Sequence, residues 1–501
     1  VKQRDDIAAC INRMREALKL NNLERRSGNI IIEGEAVNAG TDGTFRLTCN
    51  LDGRFVRRLE TQLSETAGFD GVAGWMVDWT GMPRTLGQGE LEWQQLITGV
   101  QTGLWLCEDS PFTITAIDAG ASNAELVLSV IHKNDSLQAK ARIDTTSWRA
   151  KSFRYNGIRG EEVLELGDYK EIAGWVLPGR VLYTVNNIAV ATFELRSVAT
   201  RPSNQAGDIY CPVIARPNDT QFDHAISPQL EIERAPTGYF LIRAKINGYD
   251  CGWFILDTGA SVSTISREMA ARLQLAQVGA VPLTSMFGVA ASPVRRAEFL
   301  EVGPFALQRP IFVEMDFAPI NQAFGLAVAG VIGYDIFSRA IVEIDIARGA
   351  IAIHDPCAYR RHDENWQDLV IQHQTPVVRA SFEGNHQRWF RLDIGAAVTV
   401  MFHTPTVREL DLLKGRNGTP SRLGQLDVVF GVMAWFELAG HRFKQPKVIF
   451  VTNENGPVAD PHTAGNIGLE FLQPFKLIFD YANKRIAFES LCLHENQTHS
   501  S

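Results

Sequence analysis

The sequence predicts a mainly β protein in which two tandem β lobes follow an α+β domain. Three observations predict it. Trp253-Phe254-Ile255-Leu256-Asp257-Thr258-Gly259 and Trp389-Phe390-Arg391-Leu392-Asp393-Ile394-Gly395 are both strand-like runs that end in an Asp-x-Gly turn, 136 positions apart. Val331-Ile332-Gly333 matches Asn466-Ile467-Gly468, and Ile344-Asp345 matches Phe479-Asp480, each at an offset of 135. Much of the remaining chain alternates apolar and polar residues between Gly-, Asn- and Asp-rich turns, as hairpins do. Landmarks in one order at nearly one offset indicate a duplicated unit, and duplicated units pack as pairs.

In chain order, Ile7, Ala8, Ile11, Met14, Ala17 and Leu18 recur at helical steps, so residues 5–21 are expected to be an amphipathic helix. Period-two runs follow over 29–60, and a second helical pattern covers 89–105. Strand-like runs are expected at 112–117, 124–130, 138–144, 149–156, 163–170 and 180–197. These give an α+β domain over 1–205. Residues 206–227 lack periodicity and are rich in turn formers, as in a linker. The lobes are expected over 228–360 and 361–490, with a tail at 491–501.

Composition excludes several classes. At 45% hydrophobic and 21% charged residues the chain is ordinary for a globular protein. A net charge of −8 without a basic block argues against a nucleic-acid partner. No run of 18 apolar residues predicts a membrane span. The opening Val1-Lys2-Gln3-Arg4-Asp5-Asp6 is charged and unlike a leader, and a first residue other than Met suggests a processed or partial chain. The seven cysteines show no CxxC spacing, so neither a zinc site nor a disulfide framework is indicated; Cys211 could pair with Cys251 or Cys357.

The chemistry centres on Asp257. A carboxylate at the end of a buried strand is costly unless hydrogen-bonded, so such a group is usually kept for reactivity. A single Asp-Thr-Gly is more often a turn cap, and the second copy shifts the reading. Competing chemistries lack their motifs: there is no HExxH, no GxGxxG or P-loop, and Gly120-Ala121-Ser122 lacks the context of a nucleophile elbow. His354, His362, His373, His386 and His403 show no ligand spacing and are read as surface residues.

Asp257-Thr258-Gly259-Ala260-Ser261, with Ile332-Gly333 about 75 residues on, resembles the retropepsin-like aspartic peptidases, over about 228–490. The resemblance implies retropepsin-like acid-protease lobes and an endopeptidase acting on peptide or protein substrates. Asp257 and Asp393 would form the dyad without a metal, a cofactor or a covalent intermediate. Two carboxylates about 3 Å apart cannot both ionise, so they share one proton and titrate as a unit. Thr258, Gly259, Ser261 and Gly395 would support the loops, with Gly333 and Gly468 packed behind them. Hairpin flaps would cover substrate, with Met286, Phe287 and Gly288 in the first lobe and Phe430 and Gly431 in the second. The second loop departs from the family: Ile394 stands where a Thr or Ser hydroxyl would link the loops, and Ala397 stands where Ser261 does. Three arrangements stay open: an asymmetric working pair, pairing of first lobes between chains, and a non-catalytic scaffold with a ligand-binding N-terminal domain.

The element order of residues 1–205 resembles the half-barrel of bacterial lipoprotein-carrier and related periplasmic proteins. That implies a lipid or protein ligand at the N-terminal domain and an extracytoplasmic setting, periplasmic or secreted. The lobe pair is expected to form within one chain, as a monomer.

Overall fold

The computed structural model describes residues 2–20, 28–120, 124–134, 136–201, 209, 216–285, 288–361, 365–453 and 456–490. Strands dominate them. Contacts divide the chain into two units, one of Val1–Arg216 with Val278–Ala291 and Asn455–Pro457, the other of Pro217–Gln277, Ser292–Glu454 and Val458–Ser501.

In the first unit, Asn29–Asn38 sits inside a 13-stranded antiparallel sheet. It pairs with Thr41–Cys49 on one side and with the long strand Ile188–Arg201 on the other. The helices are Lys2–Ala17 and Gln88–Thr102, starting and ending slightly before the expected 5–21 and 89–105. Gly103, at φ 78°, stops the second helix in the left-handed conformation that glycine adopts freely. Met14 and Leu18 from one helix, and Trp93, Leu96 and Ile97 from the other, share a core with Phe45, Phe55, Leu128, Phe153 and Phe193 of the sheet. One sheet lining two helices is half-barrel-like. Within this unit the Ala280 N–H donates to Ala39 O at 2.7 Å.

The second unit carries the repeated landmarks. Tyr249–Leu256 lies between antiparallel Phe240–Ile246 and parallel Val328–Ile332. His386–Asp393 lies between antiparallel Thr375–Phe382 and parallel Gly465–Gly468. Val328–Ile332 is buried along its whole length, as a strand covered on both faces must be. Ile341–Asp345 and Phe475–Asp480 pair antiparallel, Val342 opposite Phe479, in a five-stranded sheet that joins the two halves. The acids ending these two strands hold turns: Asp345 accepts from the Arg348 N–H at 2.9 Å, and Asp480 from the Asn483 N–H at 3.1 Å.

The strands of the first expected hairpin are neighbours in the sheet, and the second hairpin has its turn elsewhere. Ala276–Ser285 and Gly288–Arg296 flank Met286 and Phe287, which lie outside the described residues. In the second half, Thr419–Leu423 pairs with Leu426–Val432, so the chain reverses at Gly424-Gln425. Gly424 has φ 60°. Phe430 and Gly431 are therefore mid-strand, not at a tip. A side chain at Gly431 would meet the Phe450 ring at 2.9 Å, so this glycine serves packing, not turning. Cys251 and Cys357 are free thiols, and Cys211 lies outside the described residues.

Candidate active site

The two Asp-x-Gly turns meet. The strand before the first is apolar and buried over Phe254-Ile255-Leu256, and the Asp257 N–H then donates to Ile332 O at 3.0 Å. This fixes the carboxylate at the end of a parallel strand pair. The second turn repeats the layout, with Asp393 beside Gly468.

The glycines of the turns are required by the approach. A Cβ on Gly395 would lie 2.0 Å from Asp257 Cγ, and one on Gly259 would lie 2.6 Å from Asp393 Oδ1. Each carboxyl group thus rests against the opposite turn, and the two share a hydrogen bond. Asp257 Oδ1 also accepts the Gly259 N–H at 2.7 Å. Gly333 and Gly468 allow the layer behind: a Cβ on the first would meet Ala260 O at 2.3 Å, and one on the second Val398 O at 2.3 Å.

Thr258 joins the turns. Its buried hydroxyl donates to Leu392 O at 2.8 Å and accepts the Ile394 N–H at 3.0 Å. Ile394 is fully buried and has no hydroxyl to return the arrangement. One threonine therefore makes both of these bonds from its own loop to the other. Ser261 is exposed, and among the described hydrogen bonds none joins its hydroxyl to Asp257. Ser263, two residues on, is buried: its N–H donates to Asp335 Oδ2 at 3.1 Å, and its hydroxyl accepts from the Gly333 N–H at 3.4 Å.

Burial is the main cause that raises the Asp257 pKa, and the charge of Asp393 adds to it. Burial also raises Asp393, opposed by the Arg391 guanidinium and a hydrogen bond from Asn466. The pair is therefore unequal: Asp257 has backbone N–H donors, whereas Asp393 also has a side-chain amide at 3.0 Å and a nearby cation. Tyr239 stands near both, with its phenol against Ala397 and its pKa raised chiefly by burial.

Sequence reasoning missed Asn466, His403 and Tyr239 as site residues. Asn466 was visible only as the polar member of the Asn466-Ile467-Gly468 landmark. His403 is not a surface residue: it is fully buried, with Nε2 3.0 Å from Asn466 Oδ1. Its neighbours, Asn466 and Thr463, are 60 and more positions away, so no local pattern marks it. Among the described residues no group of three or more His, Cys, Asp or Glu could hold a metal ion.

Residues 242–336 match the family model described as Aspartyl protease. Over that segment the chain is similar to aspartyl proteases. The match contains the Asp257 turn and Gly333, and it stops short of the second turn. Among solved structures, the crystal structure of the aspartic proteinase from Irpex lacteus aligns with 55% of this chain and 99% of its own, at 10% identity and a TM-score of 0.36. No curated protein matches the chain.

Proposed function

We propose that the chain is an aspartic endopeptidase with two retropepsin-like lobes, and that Asp257 and Asp393 act as one dyad. The observation that carries this reading is a pair of buried, mutually hydrogen-bonded carboxyl groups on two glycine turns that a single threonine ties together. Because the two groups cannot both ionise so close together, they hold one proton between them at working pH.

The ionised carboxylate takes a proton from a water molecule as its oxygen attacks the peptide carbonyl carbon. The protonated carboxyl donates to the carbonyl oxygen. A tetrahedral diol results, and no bond to the protein forms. Collapse of the diol breaks the C–N bond, with a proton passing to the leaving amine and the dyad returning to one proton. Burial makes each of these transfers stronger than it would be in water. The substrate proposed is an extended peptide, which a β lobe can hold by strand-like pairing.

The test is a peptide library digested by the wild type, Asp257→Asn and Asp393→Asn across acidic to neutral pH. Cleavage by the wild type and its loss in both variants supports the dyad. A hydroxyl-bearing transition-state mimic of the pepstatin type should also protect the wild type against unfolding. Unchanged cleavage in Asp257→Asn would sink the proposal, and a wild type that cleaves nothing while the N-terminal domain retains a ligand would favour a binding protein.

A further inference from the structure

Resting on the dyad reading, we infer that Asn466, oriented by a buried relay of Arg391, His403, Thr463 and Asp460, is a positioning residue that fixes Asp393 as the charged member of the pair. It gives Asp393 a side-chain donor in the half whose turn carries Ile394 and Ala397 in place of hydroxyl residues.

The two halves differ at matching places. In the first half, Ile255 and Val331 face each other across the parallel strand pair behind Asp257. In the second half, the corresponding pair behind Asp393 is Arg391 and Asn466. Two apolar residues in one half are thus a cation and an amide in the other. The polar pair stands in the half that has Ile394, and the apolar pair in the half that has Thr258.

The relay is closed and buried. Arg391 donates from Nε to Thr375 Oγ1 at 3.0 Å, from Nη1 to Asn466 Oδ1 at 3.5 Å and from Nη2 to Asp460 Oδ2 at 3.4 Å. The Thr463 hydroxyl donates to Asp460 Oδ2 at 2.7 Å. His403 Nε2 lies 3.0 Å from Asn466 Oδ1. Asp460 and His403 are fully buried, and Arg391, Thr463 and Asn466 nearly so. A buried ion pair of this kind gives little net stability, because desolvation offsets the attraction. Its placement directly behind one carboxylate is better explained by what it does there.

The relay sets which way Asn466 points. A guanidinium can only donate, so the amide oxygen must face Arg391, and His403 donates to the same oxygen in the tautomer that carries its proton on Nε2. The amide nitrogen is then left for Asp393 Oδ2, at 3.0 Å. An NH2 group can only donate, so it favours a carboxylate over a carboxylic acid. The remaining proton is thereby directed to Asp257, and Asp393 becomes the base. Other titratable groups around the pair are Tyr239, near both acids, and Tyr481, near Asp257. Asp460 faces Arg391, His403 and His373. Among these described groups Arg391 is the fixed cation, and it lies on the Asp393 side.

The experiment is a carboxyl titration by 13C NMR of aspartate-labelled protein, wild type against Asn466→Val, which installs the residue type found in the first half. The lower of the two pKa values of the dyad should rise by about one unit or more, since a hydrogen bond to the charged form is lost. An unchanged lower value would overturn the inference, as would a rise confined to the upper value. His403→Gln, which keeps a donor for Asn466, should titrate as the wild type, whereas His403→Leu should move the lower value upward. This second pair decides the matter if Asn466→Val does not fold. The titration needs no turnover, so it separates this inference from the peptidase reading. Where cleavage is measurable, the acid limb of the pH dependence of kcat/KM should shift with the NMR value and the alkaline limb should stay.

Discussion

At the scale of single residues, Thr258 does the work of two. Its hydroxyl satisfies a carbonyl and an N–H of the opposite turn, both in a buried place. Thr258→Val keeps the shape and removes both bonds, leaving two buried backbone groups unpaired. Each such group costs about 1–3 kcal/mol, so the variant should lose about 2–6 kcal/mol of stability. Thr258→Ser should recover most of it. Denaturant unfolding of the three proteins checks the order, and equal midpoints for Thr258→Val and the wild type would contradict the account. The residue scale is also where the sequence was least legible. Asp257, Asp393, Thr258 and the glycines carry a local pattern that can be read in a window of ten residues. Arg391 falls inside that window but its partners do not. Asn466 and Asp460 lie 75 and 69 positions away, and only the folded chain shows why a cation precedes the second aspartate.

At the scale of elements, the apolar strands and their turns were readable because burial on both faces demands continuous apolar runs that stop where a polar group is needed. The second hairpin was misplaced because glycine has two uses in β structure. Gly431 has a neighbour too close for a side chain, and Gly424 has the positive φ of a turn. A sequence shows both only as glycine. The turns of the site make a sharper test. A Cβ on Gly395 would fall within 2.3 Å of three Asp257 side-chain atoms, whereas one on Gly259 would come no closer than 2.6 Å to Asp393. Gly395→Ala must push the turns apart and should lower kcat/KM by about 100-fold or more, given how steeply such sites depend on placement. Gly259→Ala should cost less. Peptide cleavage by the two variants at matched folded fraction checks the ranking, and the reverse order would show that the turns yield more easily than their contacts suggest.

At the scale of the molecule, two buried groups pull the stability in opposite directions over the same pH range. Burial and the charge of Asp393 raise the Asp257 pKa from its ordinary 3.8, so above that pH the native state keeps a proton that the unfolded chain has released. Stability contributed at low pH is therefore lost as pH rises. His403 behaves oppositely. Burial lowers its pKa from 6.5 to about 4, with the Arg391 charge a further cause. Between those values the unfolded chain binds a proton that the native state refuses, so this contribution is lost as pH falls from 6.5 towards 4. Each group supplies a slope of about 1.4 kcal/mol per pH unit where it acts alone, and the signs cancel. In the wild type the contributions of these two groups should thus offset each other between about pH 4.5 and 6, and the slope of each variant is read as its difference from the wild type. Asp257→Asn removes the falling part, so stability should rise with pH over that range and exceed the wild type most at neutral pH, while cleavage is abolished. His403→Gln removes the rising part, so stability should fall with pH. Urea unfolding at several pH values measures all three slopes. Parallel curves for the three proteins would mean that neither group is held away from its ordinary protonation, and the proposed dyad would then lack the shared proton that the proposal requires.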